Sequence, residues 1–340
     1  MEFKGRLFTL SGLKALNWLT RPNGLYCFNY HRIGDSTCAE FDPNVFSCTS
    51  EEFRKHLAFF KQHFTLVSIV QLKDIIEQKK SLDKRYALIT FDDGYLDNYQ
   101  QAYPILKSEN VPAVFFIATD FIDQKSFPWW DEAAWIIKHI NINQSFIDFW
   151  QLPTEFLSAD ESDQIRQILA LLKTESELSL QQKLIELNNF VDDKTKLEAR
   201  KKSLFMSWDM LREVEKDGIS IGSQTCSHPI LSQLDESQQS LELTNSKQRL
   251  EQELNSPIHS FAYPVGNQEC FNEITLKLME DSDYSMAFTF LPGVNKDVTE
   301  SKYTLLRYSI DGNCDNEKVQ TQVAKNIFIE RLKSLTPFTK

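Results

Sequence analysis

The stretch "LITFDDGYLDNY", residues 88–99, decides the fold. Leu88 to Phe91 form a short apolar, β-branched and aromatic run of the kind that reads as a buried strand. The run ends on two adjacent carboxylates, Asp92 and Asp93. Acidic groups at the end of a buried strand are costly unless they bind a cation or do acid–base work. On an extended chain their side chains point to opposite sides, so they can take different roles. Gly94 lets the backbone turn tightly and leaves the Tyr95 N–H free to face an anion. The plainer reading is a helix start with Asp93 as its N-cap. The stretch alone leaves both open.

Seven further strands are read at residues 25–31, 65–69, 113–119, 218–225, 259–266, 285–290 and 305–310, with 86–93 containing the quoted run. Helical patterns lie between several of them. "TSEEFRKHLAFFKQHF" opens with Thr49 and Glu52 spaced as a capping box and puts Phe53, Leu57 and Phe60 on one face. "SWDMLREVEKDG" starts on a Ser207 cap and stops at Gly218. Strands alternating with helices imply parallel pairing, and eight of them predict an α/β barrel rather than an open sheet. From 125 to 205 the alternation stops and helix follows helix, too long for a loop. The expected organisation is an N-terminal helix at 1–23, a barrel at 24–124 and 206–315, a helical insertion at 125–205, and a C-terminal helix and tail at 316–340.

A net charge of −11 and pI ≈ 5.2 exclude nucleic acid as the natural partner, because phosphate backbones need a field of the opposite sign. The six cysteines include no C-x-x-C pair, so they read as reduced thiols. The first 24 residues lack the apolar core and cleavage site of a secretory signal, and no stretch reaches a membrane-span length, so a cytoplasmic protein is the expectation. Leu7, Leu10, Leu13, Leu16 and Leu19 recur at helical spacing among Lys4, Arg6, Lys14 and Arg21. Such a helix either packs on its own domain or makes a peripheral contact with an anionic membrane surface.

Two other strand ends carry chemistry. In "IGSQTCSHPIL", residues 221–231, Gln224 and His228 stand four apart, on one side of a single turn. Imidazole with oxygen donors is a ligand mix that zinc and similar ions accept, although a histidine before a proline is commonly a hydrogen-bonded loop residue. "HSFAYPVG" brings Tyr263 and Pro264 to the end of its strand. In a parallel barrel Asp92, Asp93, Gln224, His228, Tyr263 and Pro264 all fall at C-terminal strand ends, where barrel enzymes keep their sites. Trp129, Trp130 and Asp131 open the insertion; the tryptophans either stack on a sugar or anchor the insertion to the barrel.

With these motifs in order, the sequence resembles the polysaccharide deacetylase family, the NodB-homology or carbohydrate esterase family four domain, from "LYCFNYHRIG" to "LLRYSI". "TFDDGY" followed by "AVFFIATDFI" carries most of the likeness, and "SHPIL" adds to it. The resemblance implies a distorted (β/α) barrel of the NodB-homology type with the helical insertion. It also implies a divalent metal, usually zinc, and removal of acetyl or related acyl groups from sugar amides or esters in surface-polysaccharide metabolism, with a carbohydrate as partner. By position, Asp93 matches the metal-binding aspartate, Asp92 the general base, His228 the second metal-binding histidine, and Tyr95 the residue whose N–H holds the oxyanion. Where the family motif has its first metal-binding histidine this chain has Gln224, a neutral oxygen donor and a weaker zinc ligand. Gln224 either serves as that ligand, is replaced by another histidine such as His31, or marks a silent protein that binds a glycan or a partner enzyme. Arg307 stands where a general acid histidine is sought and cannot donate a proton at neutral pH. It is assigned to substrate binding with Tyr263, Pro264 and Trp130, or to orienting Asp92. His31 is the candidate acid.

Overall fold

The computed structural model describes residues 8, 12–175, 177–191, 195–312 and 314–335. Its strands are β1 (Gly24–Tyr30), β2 (Arg32–Ile33), β3 (Phe46–Cys48), β4 (Thr65–Leu66), β5 (Arg85–Phe91), β6 (Ala113–Ile117), β7 (Ser220–Ser223), β8 (Ser260–Ala262), β9 (Met286–Phe288) and β10 (Arg307–Ser309). Every residue of β1 and β6, and the last five of β5, are buried. Strands buried on both faces belong in a parallel sheet covered by helices, which is why these runs are apolar without alternation.

The main sheet runs β10-β1-β5-β6-β7-β8-β9, all parallel, with β4 beside the first part of β5. A parallel bridge from Phe288 to Leu305 brings the β9 edge to the chain entering β10. The result is the nearly closed eight-stranded barrel the sequence predicted. β2 and β3 form a separate small sheet that the reading missed, being too short to show a period.

Inside the barrel Leu25, Cys27, Leu88, Val114, Phe116, Met286 and Phe288 form an apolar cluster. Towards the C-terminal ends the interior turns polar, with Asn29, Thr90 and Arg307 all buried. Outside, Phe28 of β1 stacks on Phe60 at 4.1 Å between centroids. Phe60 lies on the helix Ser50–His63, whose Thr49 cap accepts the Glu52 N–H. The helix Trp208–Lys216 is capped by Ser207 and followed by Gly218 at φ 92, as its sequence indicated.

Between β6 and β7 the helices Trp129–His139, Gln144–Trp150, Glu161–Leu172, Glu177–Asn188 and Thr195–Lys201 follow one another, with no strand among the described residues. Their buried side chains, Phe146, Ile165, Ile168 and Leu187 among them, join the same apolar cluster as the barrel's outer face.

The N-terminal helix is described over Leu13–Leu19, and it packs on the face opposite to the leucines. Trp18 is buried and stacks on Phe59, with the Arg21 guanidinium 3.8 Å from its ring centroid, while Leu16 and Leu19 are exposed. One tryptophan buries more area than a leucine and offers its face to a cation, so it sets the packed side. Leu7, Leu10, Lys4 and Arg6 lie outside the described residues, as does the tail from 336. No helix among the described residues is long and apolar enough to cross a membrane.

Candidate active site

Because every strand of the barrel is parallel, one end collects the residues that follow each strand. There a cleft of about 480 Å³ is floored by His31 after β1, Asp92 and Asp93 after β5, Gln224 and His228 after β7, Tyr263 after β8 and Phe290 after β9. Sequence reading placed most of these, and the structure brings them together.

Asp92 still extends β5, its N–H donating to Tyr30 O at 2.9 Å. The chain is not extended beyond it, contrary to the expectation of two carboxylates on opposite sides of a strand. Asp93 has φ 74 and Gly94 φ 79, so the backbone turns through two left-handed residues. Aspartate tolerates that region, and a Cβ at Gly94 would meet Ile117 Cδ1 at 3.0 Å.

The two carboxylates end in different surroundings. Asp92 faces the polar barrel interior: Arg307 donates to Oδ1 from Nη1 at 2.7 Å and to Oδ2 from Nη2 at 3.0 Å, and Asn29 Nδ2 donates to Oδ2 at 3.0 Å. Arg307 also donates from Nε to Thr289 O at 2.7 Å and from Nη1 to Asn29 Oδ1 at 2.7 Å. Its side chain is wholly buried and does not line the cleft, which corrects its assignment to substrate binding: β10 delivers it behind Asp92. Orienting Asp92 is the role its position permits. His31 Nε2 lies 4.0 Å from Asp92 Oδ2 on the cleft side.

Asp93 is buried beside His228, Oδ1 to Nε2 at 3.5 Å, and this oxygen has no hydrogen-bond partner. Burial raises the Asp93 carboxyl above its ordinary range, partly offset by His31 and His228, and burial lowers the His228 imidazole against the pull of Asp93 and Asp92. Gln224 completes the group: its Oε1 accepts the Asp93 N–H at 2.8 Å, and its Nε2 lies 3.3 Å from His228 Nε2. The loop that carries His228 has left-handed residues at Thr225 and His228. Glu242 anchors it by accepting from Cys226 N–H, Ser227 N–H and Ser227 Oγ at 2.7, 3.1 and 2.7 Å. Sequence reading missed Glu242, since nothing local links it to a loop 15 residues away.

The insertion supplies the other wall. Trp130 meets the His228 ring at 5.0 Å, and its Nε1 donates to Tyr95 OH at 3.0 Å. That hydroxyl donates to Asp131 Oδ2 at 2.7 Å, and Asp131 Oδ1 accepts the Asp42 N–H at 3.0 Å. Burial pushes the Asp131 carboxyl up to about 7, with Arg32 and the Tyr95 hydroxyl opposing. Trp130 is therefore both cleft wall and anchor. Tyr95 is wholly buried under it and is not a lining residue, so the oxyanion contact that the resemblance implies rests on its backbone N–H alone. Arg166, Leu169, Ala170 and Lys173 also line the cleft. Their i, i+3, i+4, i+7 spacing is visible in the sequence, but which face of that helix met the barrel was not. Tyr263 lines the cleft and donates its hydroxyl to Tyr303 O at 2.9 Å. Pro264, expected at the substrate, is buried in the turn behind it and is not a lining residue.

Among the described residues no group of three histidine, cysteine or carboxylate side chains gathers as a metal site would. Two donors nevertheless suit a divalent ion. Ligands about 2.1 Å from a tetrahedral ion stand about 3.4 Å apart. Asp93 Oδ1 and His228 Nε2 have that separation, and the oxygen is buried without a partner. The third direction is held by the Gln224 amide.

A family model described as polysaccharide deacetylase matches residues 79–287. YxkH of Bacillus subtilis (strain 168), provisionally named a polysaccharide deacetylase, is 23% identical over 274 residues, 80% of this chain and 67% of its own. The poly-beta-1,6-N-acetyl-D-glucosamine N-deacetylase of Escherichia coli (strain K12) is 28% identical over 102 residues, 30% of this chain and only 15% of that protein. The structure of the Streptococcus pyogenes deacetylase PplD in complex with acetate matches with a TM-score of 0.58 at 17% identity, covering 89% of this chain and 99% of that one, which is a likeness of fold.

Proposed function

The chain belongs to the polysaccharide deacetylase family, hydrolases that act on the carbon–nitrogen bond of sugar amides, and from that premise we propose that it removes the acetyl group of an N-acetylated sugar in a surface polysaccharide. The observation that carries this reading is Asp92, which lines the cleft while Arg307 and Asn29 grip it from behind. A carboxylate held rigidly by interior donors, with its open side towards the substrate, is placed to act as a general base.

In the proposed reaction a water's oxygen attacks the acyl carbon as its proton passes to Asp92. His31, whose Nε2 lies 4.0 Å from Asp92 Oδ2, hands a proton to the sugar nitrogen as the carbon–nitrogen bond breaks. The products are acetate and a free amine. The Tyr95 N–H, set by the Asp93–Gly94 turn, is assigned to the developing oxyanion. Trp130 offers an aromatic face to the sugar ring, and Tyr263, its own ring stacked on Phe271, lines the cleft. Asp93 and His228 are the residues that would hold a divalent ion, zinc being the family's usual one, which when bound supplies a Lewis acid that polarises the acyl carbonyl.

Amine release from N-acetylglucosamine oligomers by wild type and Asp92→Asn is the deciding measurement. The expected loss of rate is on the order of 10²–10⁴-fold. A wild type that binds these oligomers but releases no amine favours instead a silent glycan-binding protein.

A further inference from the structure

Resting on the hydrolase reading above, we propose that the Gln224 carboxamide gates the ion position: a divalent cation binds between Asp93 and His228 only when that amide turns over and presents its oxygen.

The argument starts from a fixed donor. The Asp93 N–H is held by the left-handed turn of its own residue and points at Gln224, so the end of the amide that meets it must be the oxygen, as found at 2.8 Å. The NH₂ end is thereby directed at His228 Nε2, 3.3 Å away. That separation is again close to the spacing of two ligands on one tetrahedral ion. The terminal atom of Gln224 thus stands in ligand position with the wrong chemistry: a nitrogen bearing two hydrogens donates and cannot coordinate. It also competes for the imidazole nitrogen that an ion needs. Meanwhile Asp93 Oδ1, buried and unpartnered, faces the same nitrogen at 3.5 Å. Gln224 is 2% exposed, so no bulk water takes over a bond it gives up.

Turning the amide over places its oxygen towards the ion and its NH₂ against the Asp93 N–H, two donors face to face. Leaving a buried donor unsatisfied weakens ion binding by roughly tenfold to a hundredfold. The set that results, one imidazole and two oxygens, also favours zinc over manganese less than a two-imidazole set does.

The test uses the full chain, freed of metal with a chelator and titrated calorimetrically with Zn²⁺ and with Mn²⁺. The Gln224 side-chain NH₂ resonances are followed by NMR during the zinc titration. Expected are a shift of those resonances as zinc saturates, at least tenfold tighter zinc binding in Gln224→His, and a wider zinc-to-manganese ratio in that variant. Gln224→Glu covers the case in which Gln224→His does not fold, since one carboxylate oxygen keeps the Asp93 N–H while the other meets the ion; it too should bind zinc at least tenfold more tightly. Resonances unmoved at saturation, a wild type within threefold of Gln224→Glu, or a wild type that binds no zinc at millimolar concentration each overturn the proposal. Hydrolysis is read in the same samples. Asp92-dependent amine release with an unmoved amide ends the gate and leaves the function, whereas an amide that turns in a protein without hydrolysis does the reverse.

Discussion

Both oxygens of Asp92 accept from buried donors, two of them on one guanidinium, whereas Oδ1 of Asp93, the next residue, is buried with none. The first carboxylate belongs to a finished network in the barrel interior and the second to an unfinished one on the cleft side. A folded protein tolerates an unsatisfied buried acceptor where something else is to bind, and here the finished network holds the reactive group still while the unfinished one waits for a partner. Adjacent residues of one type can therefore differ more than residues far apart in the chain.

The largest expected effect comes from the finished side. Arg307→Met leaves Asp92 charged and buried without its partner, and breaking such a pair costs about 3–5 kcal/mol. Urea denaturation measures it, and a loss under about 1 kcal/mol would mean that Asn29 and water suffice for Asp92.

Asp131 comes next. Its carboxyl is pushed up to about 7 by burial, against about 3.9 for an ordinary aspartate. The folded protein then holds that proton more tightly than the unfolded chain. Its contribution to stability is complete below about pH 4 and is lost as the pH rises to about 7. Asp131→Asn should flatten the stability profile over that interval, by up to a few kcal/mol between its ends. Thermal melts of both proteins from pH 4.5 to 8 give the comparison; parallel profiles would show that Asp131 does not titrate there.

The smallest effect is the most pointed. Asp93→Asn removes a buried charge whose Oδ1 lacks a hydrogen bond and keeps a residue type that accepts φ 74. Stability at pH 7 should stay level or rise by about 1 kcal/mol, while the same change at Asp92 lowers it. Equal losses at the two positions, read from urea midpoints, would erase the distinction drawn between them.

Much of this was legible in the sequence. The apolar runs of β1, β5 and β6 and the alternation with helices specify a parallel barrel, and parallel strands put Asp92, Asp93, His228, Gln224 and Tyr263 at one end. The sequence left Arg307 between the substrate and Asp92, because strand register, invisible in a three-residue strand, decides whether a side chain points into the barrel or up into the cleft. Pro264 was misplaced because a strand end does not reveal the path of the turn after it. Glu242 and the helix wall of Arg166 and Lys173 come from segments whose docking depends on packing at long sequence separation.

By itself, then, the sequence determined the kinds of group present and the end of the barrel they share, because hydrophobic period and strand order act locally along the chain. Only the tertiary structure decided which of two adjacent carboxylates is satisfied, which face of the N-terminal helix is buried, and which end of the Gln224 amide meets His228. Those outcomes rest on donors brought in from other strands and helices, and no local pattern encodes where a distant donor will arrive.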